Sequence, residues 1–350
     1  MDLDGLTPHL WDHEQVVFCS DPGLGLHAII VIDSTARGPG LGGVRLRPYE
    51  TAEDAVRECR RLAAAMTLKN ALAELPFGGA KSVIVDRGGF PDRPAAMRRF
   101  GEFVAATGGR YLPGVDMGTT IDDLAAMEAA GATVSCSTVD PSMWTARGVY
   151  ASIRAAVEHV DGSPDLLGHR VLIQGAGHVG GPLAELLAND GVTVLVADLD
   201  RRRAARLAER VGGWAVDPGD ALRTPCDVLA PCAAARVINA ATADEVACRI
   251  VAGAANDTLD CNETAQLLAD RGIIYVPDFV ANAGGVIQIQ AMRADWPEIQ
   301  LASEVDRIGE RVASLLDAAS DAESTPLEVA EARAAELATA PPAPAMEVAA

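Results

Sequence analysis

Gln174-Gly175-Ala176-Gly177-His178-Val179-Gly180 is the stretch on which the reading of this chain turns. The spacing G-x-G-x-x-G is common by itself, but its surroundings here make it specific. Val171-Leu172-Ile173 before it reads as a buried strand, and residues 178–189 after it read as a helix. Asp198 closes the next apolar run, residues 192–197. A dinucleotide-binding βαβ unit needs that order. Gly175 permits the tight turn, Gly177 lets a pyrophosphate approach the backbone, and Gly180 lets the helix lie close on the strand. With Ala176, His178 and Val179 they would offer helix N-terminal N–H groups to phosphates. Asp198 is placed to take the ribose hydroxyls and to repel a 2′-phosphate, which favours NAD over NADP. Arg201, Arg202 and Arg203 are the counter-evidence, since an arginine there could accept the 2′-phosphate of NADP; the plainer reading is that they cover the start of a surface helix over 200–211.

The same rhythm continues outward. Short apolar runs at 227–230, 249–252 and 273–276 supply further strands of a parallel, doubly wound sheet. A long helix is expected over 303–317, and a disordered tail from Pro341. Composition sets bounds on function. The chain has 350 residues, enough for two domains, and a net charge of −20. That charge disfavours nucleic acid, whose phosphates require clustered Lys and Arg. No apolar run is long enough for a membrane span, and the N-terminus lacks a secretory pattern. Seven scattered cysteines without C-x-x-C spacing imply a cytoplasmic setting, buried thiols and no metal site.

The first half is also α/β. Residues 27–32 read as a buried strand, and 38–43 as a glycine turn with close backbone approach. An amphipathic helix over 51–66 starts at a Thr51 N-cap, with Lys69 just beyond its apolar face. A strand over 82–85 begins after Lys81, a helix covers 94–106, and residues 110–116 lead into a loop. Two lysines thus stand twelve residues apart, in Met66-Thr67-Leu68-Lys69-Asn70 and Gly78-Gly79-Ala80-Lys81-Ser82. Lysine is a poor base at its free pKa of about 10.4, but a neighbouring cation or desolvation lowers it. One lysine could therefore hold a carboxylate while the other, neutral, moves protons. Asp116 is the carboxylate placed to receive an ammonium group.

These segments carry a resemblance. The chain resembles the glutamate/leucine/phenylalanine/valine dehydrogenase family, in its hydrophobic amino acid branch. The matching stretches include Gly38-Pro39-Gly40-Leu41-Gly42-Gly43-Val44-Arg45, the two lysine motifs, Asp116-Met117-Gly118-Thr119 and Thr145-Ala146-Arg147-Gly148-Val149. The glycine turn, Ala230-Pro231-Cys232-Ala233, Gly253-Ala254-Ala255-Asn256 and residues 277–286 complete the set, in collinear order over roughly 13–290. The resemblance implies an N-terminal α/β substrate domain, a Rossmann-type NAD domain and a cleft between them. It implies reversible oxidative deamination of an L-amino acid to a 2-oxo acid and ammonia. Lys69 would bind the substrate carboxylate, Lys81 would act as general base, and Asp116 would contact the amino group. Gly42, Gly43 and Asn282 would also meet the substrate, while Leu41, Gly114, Val286 and Ile289 line its side-chain pocket. Thr145, Cys232, Ala233, Asn256 and Asn282 would join the glycine turn and Asp198 against the dinucleotide.

All four pocket residues are apolar or lack a side chain, so a charged substrate tail would be left unpaired. Valine, leucine or phenylalanine is the expected substrate class. Two departures from the family pattern point to a specialised, non-proteinogenic amino acid as the alternative: residues 134–144 are shorter and lack glycines, and Asp257 follows Asn256 where a second asparagine is usual. A non-catalytic binding protein is the remaining reading, disfavoured because Lys69, Lys81, Asp116 and the full glycine turn are all present. The expected domains are 1–134 for substrate and oligomer contacts, 135–325 for NAD, and 326–350 for a helix and tail. A small-molecule amino acid and further copies of the chain, as a homo-oligomer, are the expected partners.

Overall fold

A computed structural model describes residues 12–135 and 140–340. The chain divides into two compact units, Met1–Val139 with Ala334–Ala350, and Asp140–Arg333. The first is built on a five-stranded mixed sheet of β1 (Gln15–Asp21), β2 (Leu26–Ser34), β3 (Gly40–Arg47), β4 (Gly78–Val85) and β5 (Tyr111–Val115), in the order β1-β2-β4-β3-β5. β3, β4 and β5 run parallel, whereas β1 and β2 are antiparallel to their neighbours. The unbroken apolar run of β2 reflects burial on both faces. Ile30 and Ile32 join Ile84, Met97, Phe100 and Met127 on one side, while Ile29 and Val31 join Val83, Ala55 and Cys59 on the other. Burying each of these isoleucines stabilises the unit by about 1.5–3 kcal/mol.

Helix α1 (Ala52–Leu72) covers the second face. It starts as the sequence predicts, with the Thr51 side chain accepting from the Asp54 N–H at 3.1 Å. It ends six residues later than expected, so Lys69 sits in its last turn rather than beyond it. The polar residues that make the pattern fade after Met66 are satisfied elsewhere: Thr67 Oγ1 donates to Asp33 Oδ2 at 2.5 Å, and Asn70 Nδ2 to the Gly78 carbonyl at 2.6 Å. Residues 111–115, which lead into a loop as expected, form β5. Two other expectations are corrected: residues 40–43 of the glycine run open strand β3, and Lys81 lies inside β4 rather than before it. The close approach expected of those glycines is present in strand form. A Cβ on Gly79 would lie 2.2 Å from the Thr67 backbone nitrogen, so α1 can rest on β4 only over glycine. Helices α2 (Arg93–Ala105) and α3 (Ile121–Ala129) pack on the first face.

The second unit holds six parallel strands: β6 (Arg170–Gln174), β7 (Thr193–Ala197), β8 (Trp214–Val216), β9 (Val228–Pro231), β10 (Ile250–Val251) and β11 (Ile274–Tyr275). Their order, β11-β10-β9-β6-β7-β8, is the doubly wound arrangement, and the order reverses between β6 and β9. Helices α4 (Ser142–Asp161), α5 (Gly180–Asn189), α6 (Arg201–Arg210) and α7 (Asn262–Ala269) precede a short α8 (Asp278–Ala281) and α9 (Gly284–Arg293). Then come α10 (Glu298–Ala322), longer at both ends than the periodicity predicts, and α11 (Pro326–Thr339). The tail expected from Pro341, Cys136 and part of the shortened 134–144 segment lie outside the described residues. Of the described cysteines, Cys261 is exposed, against the expectation of burial. Among the described residues no helix is long and apolar enough to cross a membrane.

Candidate active site

Lys81 is the centre of the first unit's chemistry. Its place inside β4 aims it at the face that α1 covers, and its side chain is only 8% exposed. Nζ lies 2.8 Å from Oδ2 of Asp116, the residue that follows β5. Register explains why the two meet. Val44 of β3 pairs with Ser82 and with Val115, which puts Gly43 beside both residues. A Cβ on Gly43 would lie 2.7 Å from the Asp116 Cβ and 3.3 Å from Lys81 Nζ, so the pair occupies space that only glycine leaves. Arg45, two residues along β3, reaches the same carboxylate, with Nε 3.0 Å from Oδ2. Its other edge donates to Glu58 Oε1 of α1 at 2.5 Å. Burial alone would push the Asp116 carboxyl up, but the Lys81 and Arg45 charges hold it well below the usual carboxylate range. It is an anion at any working pH.

Two neutral groups border the pair. Cys59 Sγ donates to the Lys81 carbonyl at 3.4 Å, and burial pushes that thiol up to about 12. The Tyr111 hydroxyl shares a 2.8 Å hydrogen bond with Ser82 and titrates well above its ordinary value because it is buried. Lys69 is half-buried in the last turn of α1, the turn that Thr67 and Asn70 tie down. Leu41 and Gly42 lie in β3 and Gly114 in β5, all three in one layer with Gly43. A further group escaped the sequence reading. Among the described residues the Ser135 hydroxyl is buried without a hydrogen-bond partner, 2.8 Å from where a Cβ on Gly114 would stand. Arg45 escaped it too, though it stands in a quoted motif.

The second unit gathers the residues expected at the dinucleotide. Gly175 to Val179 follow β6, Asp198 follows β7, and Cys232 and Ala233 follow β9, all at the carboxyl ends of the strands where the order reverses. Gly175 has φ +110°, a conformation that favours glycine, and its Cβ would strike that of Ala233 at 2.6 Å. Gly177 has nothing within 4 Å of a built Cβ, which leaves the turn open where a pyrophosphate would lie. His178 beside it is 87% exposed, and α5 begins without a side-chain cap. Asp198 departs from the simplest expectation. Its Oδ2 accepts the Ala176 N–H at 2.8 Å and its Oδ1 the Asp200 N–H at 2.8 Å, so it also braces the turn. Each oxygen retains a lone pair for a hydroxyl. Arg201 pairs with Asp217 and Arg203 lies near Asp200, on the surface as expected.

Thr145 stands in the first turn of α4, where a Cβ on Gly285 would lie 3.0 Å from its Oγ1. Val286 and Ile289, which flank that contact along α9, are half-buried on one face of the helix. Asn282 donates to Asn256 Oδ1 at 2.8 Å, while its own Oδ1 is buried without a partner among the described residues. A buried amide oxygen left without a partner suits the carboxamide of a nicotinamide. Asp257 is in the left-handed region at φ +53°, which Asn and Asp tolerate alike, so the exchange has a backbone reason. Among the described residues no group of His, Cys, Asp and Glu could hold a metal.

Comparison with known proteins agrees in order and extent. Residues 13–158 match the Glu/Leu/Phe/Val dehydrogenase dimerisation domain, and residues 200–336 match the glutamate/leucine/phenylalanine/valine dehydrogenase domain. The chain is 39% identical to leucine dehydrogenase of Geobacillus stearothermophilus, over 80% of this chain and 78% of that protein. It is 36% identical to phenylalanine dehydrogenase of Thermoactinomyces intermedius, over 92% and 90%. The crystal structure of L-tryptophan dehydrogenase from Nostoc punctiforme superposes with a TM-score of 0.80 at 32% identity, covering 93% of this chain and 95% of that one.

Proposed function

Because the chain belongs to the glutamate/leucine/phenylalanine/valine dehydrogenase family, and is an amino acid dehydrogenase of its leucine/phenylalanine branch, we propose that it catalyses the NAD-dependent oxidative deamination of a hydrophobic L-amino acid, with Lys81 as general base. The observation that carries this reading is the buried Lys81–Asp116 pair, 2.8 Å apart in the space left by Gly43. Asp116, held as an anion, receives the substrate ammonium. Lys69 takes the substrate carboxylate and so fixes Cα. Lys81, relieved of its partner by the incoming ammonium, first takes a proton from that ammonium and passes it to solvent, so that the neutral amine can release hydride from Cα. It then takes a proton from water as that water attacks the iminium carbon, gives it to the nitrogen as ammonia departs, and receives the hydroxyl proton as the 2-oxo group forms. A bound nicotinamide supplies the hydride acceptor. Thr145, Asn256 and Asn282 would hold its carboxamide end, and the 175–180 turn its phosphates. The matched dimerisation domain supports assembly as a homo-oligomer.

The test is absorbance of reduced nicotinamide with NAD and a panel of L-amino acids at alkaline pH. Turnover with aliphatic or aromatic substrates and none with glutamate is expected; silence across the hydrophobic set would reject the reading. Cofactor choice rests on Asp198. Asp198→Ala is expected to shift the NAD/NADP ratio of kcat/KM toward NADP by roughly tenfold or more, because a carboxylate facing a 2′-phosphate is repulsive. An unchanged ratio would remove Asp198 from the ribose.

A second reading of the substrate concerns its side chain. Gly114 lets the Ser135 hydroxyl come within 2.8 Å of where a Cβ would stand, and that hydroxyl, without a partner among the described residues, favours a substrate side chain with a polar tip, such as an indole or a non-proteinogenic aromatic. Gly114→Ala is then expected to lower the preference for aromatic over branched aliphatic substrates by roughly tenfold, the worth of one methylene-sized change in a tight pocket. A ratio of kcat/KM that does not move would place the side chain elsewhere.

A further inference from the structure

Arg45 contacts the pair that performs the proposed chemistry, yet the steps above do not use it. Its guanidinium shares Asp116 Oδ2 with Lys81, at 3.0 and 2.8 Å, and extends a second nitrogen to Oδ1 at 3.4 Å. The remaining nitrogen is held by Glu58 at 2.5 Å. The side chain is only 12% exposed. Two cations therefore meet on one carboxylate oxygen in a space largely closed to water.

We infer that Arg45 is a positioning residue that makes Lys81 available as a base, by competing with it for Asp116 and by placing a permanent positive charge beside it. The inference rests on the reading of Lys81 given above. A carboxylate bound to lysine alone favours the ammonium form and would hold the proton in place. Arginine cannot give up its proton, so it keeps its share of Asp116 at every pH. Its planar fork also fixes the carboxylate plane, which a flexible lysine partner could not do. Both effects, competition and like-charge repulsion, favour neutral Lys81.

The other groups around the pair do not offset this. Cys59 from α1 and Tyr111 from β5 stay neutral, as their burial dictates. Glu58 faces Arg45, and Arg47, 3.8 Å from Glu58 and stacked 5.1 Å over Tyr49, lies on the far side of that carboxylate. Without Arg45, Glu58 would add negative charge near the pair and strengthen the hold on the proton. Every consequence of losing the guanidinium has the same sign.

The experiment is the pH dependence of kcat/KM with NAD and L-leucine or L-phenylalanine, whichever the parent turns over, for the full chain and its Arg45→Gln, Arg45→Lys and Lys81→Ala variants. Arg45→Gln is expected to move the acid limb up by about one pH unit, so that the rate falls about tenfold on the acid side and recovers to within about threefold above both limbs. Arg45→Lys, which keeps the charge but loses the fork, is expected to return part of the shift. A uniform fall at all pH values, with the limb unmoved, would make Arg45 a structural ion pair and overturn the inference. If Arg45→Gln does not fold, the Arg45→Lys limb decides: a raised limb supports the role, an unmoved one ends it. Lys81→Ala separates the two levels. Its retained turnover would sink the base assignment itself, whereas an inactive Lys81→Ala with an unmoved Arg45 limb sinks only the role of Arg45.

Discussion

Lys81→Ala is expected to lower kcat for oxidative deamination by roughly a thousandfold or more, while the Kd for NAD stays within about threefold. The two halves of that statement come from different units of the chain. The amine is buried in the first unit, and all residues expected at the dinucleotide pyrophosphate lie in the second. Removing one partner of a buried ion pair is normally destabilising by about 3–5 kcal/mol, because a charge is left alone. Here Arg45 remains on Asp116, so the anion keeps a partner and the variant should fold. A small primary amine added to Lys81→Ala is expected to restore part of the rate, since the vacated space ends at the same carboxylate. A kcat equal to the parent's would reject Lys81 as the base.

Elements whose signals are local stand where the sequence places them. The 171–197 strand-turn-helix-strand, the Thr51 cap and the buried face of α1 depend on neighbours in sequence, and each stands where periodicity and capping place it. What failed depends on distant partners. The glycines at 40, 42 and 43 read as a turn, since nothing near them shows that β4 and β5 will lie alongside in register. Lys69 read as lying past its helix, because the bonds that bury Thr67 and Asn70 come from Asp33 and Gly78. Arg45 carried no signal of its own; the carboxylate it holds is 71 residues away. Ser135 was silent for the same reason, as its hydroxyl gains meaning only beside Gly114. The lysines and Asp116 were legible only because glycine motifs flank them and a family pattern repeats them.

Asp116→Asn is expected to lower the plateau kcat by roughly a hundredfold, and to move the acid limb of the pH profile in the direction opposite to Arg45→Gln. The amide is isosteric but cannot pair with the substrate ammonium, so the step that frees Lys81 and orients the amino group is lost. Lys81 at the same time loses its counter-charge and keeps the Arg45 guanidinium beside it, which favours the neutral amine at lower pH. Plateau and limb thus separate two roles that a single rate at one pH would merge. Two cations left facing an amide should also lower thermal stability. The measurement is kcat and kcat/KM against pH for both variants, with unfolding followed over the same range. If the Asp116→Asn limb moved up alongside that of Arg45→Gln, the titrating group would not be an amine between a carboxylate and a guanidinium, and the electrostatic account of this site would be wrong.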